Sequence, residues 1–197
     1  GCDTVVSYND KSFDLPLLRT RFIQDRVPFA LDSIAHYDLL HAVRRVYKRR
    51  LQNCSLTNIE RNVLGLRRSG DVDSALIPRL WLDYLRTRDA RPLKPVFYHH
   101  AMDILSLVTL TAWVAKCMAE PDGQGFEHAQ DKLSYARLKH KEKRWEELLT
   151  LATQLLESET IERNDLYECL TLQAEAHTRL GDFASMAETW EYARQQF

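Results

Sequence analysis

The chain of 197 residues has little glycine or proline, six of each, and shows no glycine-rich phosphate loop, zinc-finger spacing or Ser/His/Asp elbow. Nucleoside-triphosphate chemistry and acyl transfer are therefore poor candidates. The four cysteines (Cys2, Cys54, Cys117 and Cys169) are scattered singly, which predicts reduced, mostly buried thiols of a cytoplasmic protein rather than a disulfide framework. No stretch reaches the ~18 uncharged apolar residues of a membrane span, so we expect no membrane association.

The net charge of −1 conceals an asymmetry between the two halves of the sequence. Residues 1–95 contain 17 Lys and Arg against 11 Asp and Glu, whereas residues 96–197 contain 10 against 17. A basic half suits a phosphate backbone, because neutralising phosphates releases counterions. The acidic half does not suit that task, so the pattern indicates two modules with different partners, nucleic acid and protein.

The densest cluster of proline and glycine, Glu120–His128, predicts a linker. We therefore expect domains at residues 1–119 and 129–197, joined by residues 120–128. The periodicity before the linker predicts short strands at Thr4–Tyr8 and Ile34–Asp38. It also predicts helices at Asp14–Asp25, Leu39–Leu51, Leu56–Leu64, Ala75–Leu85 and Pro95–Met118.

After the linker the sequence repeats with an offset of 38 residues, pairing Ala136 with Ala174 and Trp145 with Phe183. The second copy resembles a tetratricopeptide repeat, whose period is about 34 residues, so a loop at Thr160–Asp165 would lengthen the spacing. Such hairpins pack on one another or on a partner. We expect buried contacts between them from Trp145, Leu149, Leu172, Phe183 and Trp190.

Two acidic motifs about ninety residues apart carry the chemistry of the first domain. Asp14 lies in YNDKSFDLPLL, where a strand leads into a helix, and His99 and Asp103 lie in YHHAMDILSL, four apart on one helical face. Carboxylates in this arrangement suit a divalent metal with hard oxygen ligands. Simpler alternatives are that Asp14 caps its helix and that His99 and His100 are a solvent-exposed pair.

These residues resemble the RNase H-like DnaQ/DEDD 3′–5′ exonuclease superfamily, and in particular its YprB-type branch, over about residues 4–115. Asn9 through Phe13-Asp14 match the second motif of the family, and His99 through Asp103 match the third. The segments His36–Leu66 and Gly70–Asp89 resemble the intervening part of the branch. The resemblance implies an α/β fold: a partial RNase H-like domain, mostly helical in this chain, followed by an all-α tetratricopeptide-like hairpin module.

The resemblance also implies a site with two Mg²⁺ or Mn²⁺ ions, in which Asp14 and Asp103 are metal ligands and His99 orients or deprotonates the attacking water. It gives supporting roles to Asp38 and to His100, which is also the alternative to His99. The family draws its other ligands from an Asp-x-Glu motif, which does not occur upstream of Asn9 in this sequence. Because the sequence begins at Gly1, we expect a fragment or processed chain that is inactive by itself.

Contacts with nucleic acid, either DNA or RNA, are expected from one polar residue and from an arginine-rich helix: Asn9, Arg44, Arg45, Lys48 and Arg49. Their alternatives are a local turn for Asn9 and a solvated helix face for the basic residues. The function that follows is a metal-dependent 3′–5′ exonuclease-type nuclease. The alternative is a non-catalytic module with a nuclease-like fold that binds nucleic acid and recruits a protein.

Overall fold

The computed structural model describes residues 3–120, 122–158 and 161–197, and within them the chain forms two compact units. The first unit comprises Gly1–Leu39 and Ser55–Trp113. The second comprises Leu40–Cys54 and Val114–Phe197. Each unit is thus assembled from two separate stretches of sequence, and the arginine-rich stretch belongs to the second.

The first unit contains a two-stranded parallel sheet. Strand β1 (Thr4–Ser7) pairs with strand β2 (Ala35–Asp38) in a register that places Ser7 beside Asp38. Parallel neighbours need a crossover connection, which contains helix α1 (Asp14–Gln24). The carboxyl ends of both strands therefore lie at one edge of the sheet. Both strands and this helix confirm the sequence prediction.

The remaining helices predicted in the first half of the sequence are also present. Helix α2 (Leu39–Tyr47) directly follows β2, and it is followed by α3 (Leu56–Asn62), α4 (Ile77–Thr87) and α5 (Lys94–Ala119). Helix α3 begins after Ser55, whose hydroxyl accepts a hydrogen bond from the Asn58 amide at 3.3 Å, as a favoured N-cap does. Short 3₁₀ helices occur at Ala30–Ser33, Ser74–Leu76 and Arg91–Leu93.

Helix α5 is long and apolar. With the turn before it, Arg91–Ala119, it is the one helix of the described residues that is long and apolar enough to cross a membrane, with a mean hydropathy of 1.4 and 17% of the apolar stretch buried. Length and composition alone are weak support for a span, because core helices of soluble proteins meet the same criterion. The absence of membrane association stays a prediction.

The second unit contains most of α2 and four helices in sequence: α6 (Ala129–Lys141), α7 (Trp145–Leu156), α8 (Arg163–Leu180) and α9 (Phe183–Gln196). Each of these four packs against the next, and α6 also packs against α8. One buried cluster joins α6, α7 and α8 through Leu133, Ala152, Leu155 and Cys169. The unit is therefore a run of helical hairpins.

The expected core between hairpins is wrong for two aromatic residues. Phe183 is 63% exposed and Trp190 is 42% exposed, because α9 packs against α8 and against no other helix extensively within the described residues. Trp145, Leu149 and Leu172 are half-buried. In the turn between α8 and α9, Gly181 ends α8 in the left-handed conformation, and the Asp182 carboxylate accepts a hydrogen bond from the Ser185 amide at 3.1 Å.

The predicted linker, residues 120–128, lies within the second unit, apart from Pro121, which is outside the described residues. Phe126 is 5% exposed, and the Tyr135 hydroxyl donates to the carbonyl oxygens of Met118 and Glu120, at 3.1 Å each. The division between the units falls instead inside α5, between Trp113 and Val114. In the predicted loop Thr160–Asp165, Thr160 lies outside the described residues and α8 already begins at Arg163.

Three cysteines are buried thiols, as predicted: Cys54, Cys117 and Cys169. Burial raises the pKa of each, to about 11 for Cys117 and about 12 for Cys169, with a smaller contribution from a neighbouring glutamate in those two. These thiols are therefore protonated and unreactive at neutral pH. Cys2 lies outside the described residues.

Candidate active site

A cleft of about 560 Å³ lies in the first unit and is bordered by the loop that follows β1. Its lining combines apolar residues of β1 and α5 with carboxylates and imidazoles. It brings together four of the predicted site residues, Asp14, His99, His100 and Asp103, with Val6, Ser7, Tyr8, Asp10, Ser55, Leu56, Thr57, Ser74, Ile104 and Leu107. The two motifs, about ninety residues apart in sequence, therefore meet in one place.

Asp38 fixes the turn that leads from β1 to the cleft. The residue is 7% exposed, and its carboxylate accepts hydrogen bonds from the amides of Asn9, at 2.8 Å, and Lys11, at 3.2 Å. Asn9 has a φ of 70°, a left-handed conformation that asparagine tolerates better than most residues. Asp38 thus positions the site by binding backbone amides of the turn. Asn9 is part of this turn and does not line the cleft.

Asp10 and Asp14 form a carboxyl pair at the start of α1. The Asp10 carbonyl accepts hydrogen bonds from the amides of Phe13, at 3.1 Å, and Leu15, at 2.9 Å, which places the two acidic side chains side by side. Burial, a hydrogen bond with Asp14 and the negative charges of Asp14 and Asp38 raise the pKa of Asp10 to about 6. Asp14 is the first residue of α1, and no side chain caps that helix. The N-cap position is therefore occupied by Phe13 and not by Asp14.

His99 and Asp103 lie one helical turn apart on α5, as their spacing predicted. The His99 ring is 14% exposed and the Asp103 side chain is 33% exposed, and 3.5 Å separates His99 Nε2 from Asp103 Oδ2. His100 is an exposed neighbour that also lines the cleft. Of the two histidines, His99 is the more constrained, because both nitrogens of its ring have polar partners.

Arg68 is the centre of a buried ion network next to these residues. Its guanidinium, 4% exposed, pairs with Glu60, with Asp71 at 3.0 Å and with Asp103 Oδ1 at 2.6 Å. The hydrogen bond with Glu60 is the strongest influence on Arg68; together with those to Asp103 and Asp71 it outweighs the loss of hydration and raises the pKa of Arg68. Three carboxylates around one guanidinium leave an excess of negative charge beside the cleft, which favours a further cation.

The donor chemistry of the cleft fits a hard divalent ion, but the set is incomplete. Asp10, Asp14 and Asp103 offer carboxylate oxygens, the ligands that Mg²⁺ and Mn²⁺ prefer. In the part of the chain that the structure describes, no three Asp, Glu, His or Cys side chains converge closely enough to hold an ion together. Asp103 also has one oxygen committed to Arg68.

The basic residues predicted to bind nucleic acid lie on α2 and just after it, in the second unit. Arg44, Arg45 and Lys48 are exposed. Arg49 is different, because its guanidinium pairs with Asp165 and, at 2.8 Å, with Glu168 on α8. The assignment of Arg49 to phosphate contacts is therefore corrected: its charge is neutralised within its own unit.

Sequence reasoning gave no role to Glu60, Arg68 or Asp71. Their network joins α3, the segment after it and α5, and no local periodicity marks residues that meet from three segments. One signal was present, because Asp71 lies in Gly70–Asp89, a segment that resembles the intervening part of the YprB-type branch.

The region that forms the cleft is similar to known proteins. A family model for the RNase H superfamily matches residues 2–115, more than half of the chain and all of the cleft. The uncharacterized protein YprB of Bacillus subtilis (strain 168) is 36% identical over 145 residues, which are 71% of this chain and 34% of YprB. The chain thus spans about a third of the length of that relative. No solved structure matches the chain. The matched region carries the sheet edge, the cleft and both acidic motifs, and the chain belongs to the RNase H superfamily.

Proposed function

We propose that the chain is part of a metal-dependent nuclease that hydrolyses nucleic-acid phosphodiesters in the 3′–5′ direction. The observation that carries this proposal is the cleft beside the sheet edge, which collects Asp14, His99 and Asp103 from both ends of the matched region. Superfamily membership supports a nuclease, and the resemblance to the exonuclease motifs supports the direction of cleavage.

Asp14 and Asp103 would hold Mg²⁺ or Mn²⁺, which supplies a Lewis acid for the scissile phosphate. Asp103 Oδ2 is the oxygen directed away from Arg68 and toward His99, so it is the one available for this task. His99 Nε2, on the cleft side of the ring, would accept the proton of the attacking water. The remaining ligands would come from an Asp-x-Glu motif outside this sequence, and by itself the chain should bind Mn²⁺ weakly.

The second unit would serve binding. The exposed Arg44, Arg45 and Lys48 are suited to phosphate contacts, with DNA or RNA as the ligand. The hairpins α6–α9, which we propose to be tetratricopeptide-like, present exposed apolar side chains on α9 and would take a protein partner.

The test is nuclease activity in a protein extended upstream to include Asp-x-Glu. Asp14→Asn and Asp103→Asn should each reduce Mn²⁺-dependent cleavage of single-stranded substrates by at least about 10²-fold, because each removes a ligand oxygen of the same charge cluster. Asp89→Asn is the matched control, since Asp89 does not line the cleft and its carboxylate pairs with the exposed Arg91.

Full activity in either variant contradicts the assignment of its residue. If the extended protein binds nucleic acid without cleaving it under any divalent ion, the non-catalytic alternative is the correct one. A 3′-blocked substrate tests the direction of cleavage, because an exonuclease that acts from the 3′ end leaves this substrate intact.

A further inference from the structure

His99 is held by a carboxylate that the proposed chemistry does not use. Its Nδ1 lies 2.9 Å from Asp71 Oδ1 and 3.0 Å from Asp71 Oδ2, and 3.3 Å from Arg68 Nη1. On the other side of the ring, Nε2 lies 3.4 Å from the Ser74 hydroxyl and 3.5 Å from Asp103 Oδ2. The ring and Asp71 are both largely buried, with side chains 14% and 17% exposed.

The chemistry of these neighbours determines which nitrogen of the neutral ring carries the proton. An ionised carboxylate only accepts hydrogen bonds and a guanidinium only donates them. Asp71 is the closer neighbour of Nδ1, and the same Arg68 nitrogen already donates to Asp71 Oδ2 at 3.0 Å. This arrangement favours the tautomer in which Nδ1 carries the hydrogen and donates it to Asp71, with the lone pair on Nε2.

Asp71 is itself fixed in an ionised state. Burial alone would raise its pKa, but hydrogen bonds with His99, Arg68 and the Val72 amide outweigh burial and lower the pKa of this carboxyl. The Val72 amide donates to Asp71 Oδ1 at 2.8 Å, so the carboxylate is anchored by the backbone of its own loop.

We propose that Asp71 is a positioning residue that fixes His99 in the tautomer whose Nε2 lone pair faces the cleft, and that Arg68 holds Asp71 and Asp103 in register on either side of the ring. The role of that lone pair as a base rests on the proposed function. The tautomer does not, and it is measured without any substrate or metal.

The first experiment is the long-range ¹H–¹⁵N correlation spectrum of the chain above about pH 8.5, roughly two units above the ordinary histidine pKa. The His99 signals are assigned with a His99→Gln variant. The expected pattern is a protonated Nδ1 and an unprotonated Nε2. If the unmutated chain instead shows a protonated Nε2, or a ring protonated on both nitrogens, the proposal is wrong.

The second experiment removes the acceptor. In Asp71→Ala the neighbour left at Nδ1 is the Arg68 guanidinium, which can only donate, so the hydrogen should move to Nε2 and the two nitrogen signals should exchange character. Asp73→Ala is the matched control: the same loop loses a carboxylate that accepts from the Ala75 amide and does not contact His99. A control that switches the tautomer equally, or an Asp71→Ala variant that leaves it unchanged, contradicts the assignment.

Activity in the upstream-extended protein is the third readout. Asp71→Ala should lower kcat by about 10²–10⁴-fold, the usual contribution of general base catalysis, with KM nearly unchanged. A confirmed tautomer in a protein without nuclease activity refutes the proposed function and leaves the positioning intact. An active protein in which Asp71→Ala keeps full kcat refutes the positioning role and leaves the nuclease assignment intact.

Discussion

At the scale of single residues, the carboxyl pair of Asp10 and Asp14 makes stability depend on pH. Burial, the hydrogen bond with Asp14 and neighbouring negative charge raise the pKa of Asp10 from 3.8 to about 6, so the folded chain binds this proton more tightly than the unfolded chain. The free energy of unfolding should therefore contain a contribution that is present below about pH 4 and is lost as the pH rises to about 6.

Asp14→Asn should weaken this pH dependence, because it removes the partner charge. We expect a gain in stability at pH 7 relative to pH 4 of less than about 1 kcal/mol, since solvent screens a half-buried group. Urea unfolding at both pH values measures it, with Asp25→Asn, at the opposite end of α1, as the control. An equal pH dependence in wild type and Asp14→Asn would show that the pair does not interact.

The buried Arg68 makes a second residue-scale prediction. Arg68→Met leaves Glu60, 1% exposed, without its partner, and the free energy of unfolding should fall by about 3–5 kcal/mol. Arg91→Met removes a guanidinium from an exposed pair with Asp89 and should change stability little. Denaturant unfolding compares the two variants, and a similarly small loss in both would mean that the Arg68 network does not stabilise the fold.

The sequence predicted the local placement of Asp14, His99 and Asp103, and it did not predict the residues that contact them. His99 and Asp103 share a helical face by spacing alone, and Asp14 follows a strand into a helix, so local geometry predicts both. Arg68 reaches its partners only after α3 and α5 have packed, and that convergence is not encoded in any periodic pattern. For the same reason the long-range partners of Arg49 were not foreseen.

At the scale of elements, two glycines in left-handed conformations should respond differently to alanine. Gly181, with a φ of 79°, ends α8 with no atom within 4 Å of an added Cβ, so Gly181→Ala should cost about 1–2 kcal/mol from backbone strain alone. Gly123, with a φ of 65°, would place a Cβ 2.6 Å from Leu151 Cδ2. Gly123→Ala should therefore cost more, by a further ~1–3 kcal/mol for overpacking.

Thermal or urea unfolding of the two glycine variants tests this difference. Gly65→Ala serves as the control, since Gly65 has a φ of 66° and open space around it. Equal losses in all three would show that the segment at residues 122–128 is not packed against α7.

Element prediction succeeded where one segment determines its own structure. The four-residue strands and the five helices of residues 4–119 follow from the hydrophobic periodicity of the sequence. The exposed Phe183 and Trp190 show where prediction of buried residues failed. An apolar stripe indicates that a helix face can be covered, but it does not specify what covers it. The segment around Gly123, predicted as a linker, is packed instead. Glycine can mark a backbone conformation that the fold requires as readily as it marks a linker.

At the scale of the whole molecule, the basic charge of the first half divides between the two units. The triple variant Arg44→Ala, Arg45→Ala, Lys48→Ala should lower affinity for single-stranded nucleic acid and reduce the slope of log K against log salt by about one for each phosphate that is no longer neutralised. Removing a similar charge elsewhere in the second unit, with Lys141→Ala and Arg163→Ala, should have less effect. Filter binding across a salt series measures both slopes, and equal slopes would exclude α2 as the binding surface.

The buried thiols allow the rate of local opening to be measured without introducing new cysteines. Alkylating reagents attack the thiolate, and Cys117 and Cys169 are both enclosed and protonated at neutral pH. Modification of either must await an excursion that exposes its sulfur, so its rate reports the frequency of that excursion. Cys169, on α8 and packed against α7, reports on opening of the helical hairpins, and Cys117 reports on opening at the end of α5. The two modification rates therefore measure opening in two different regions of the second unit.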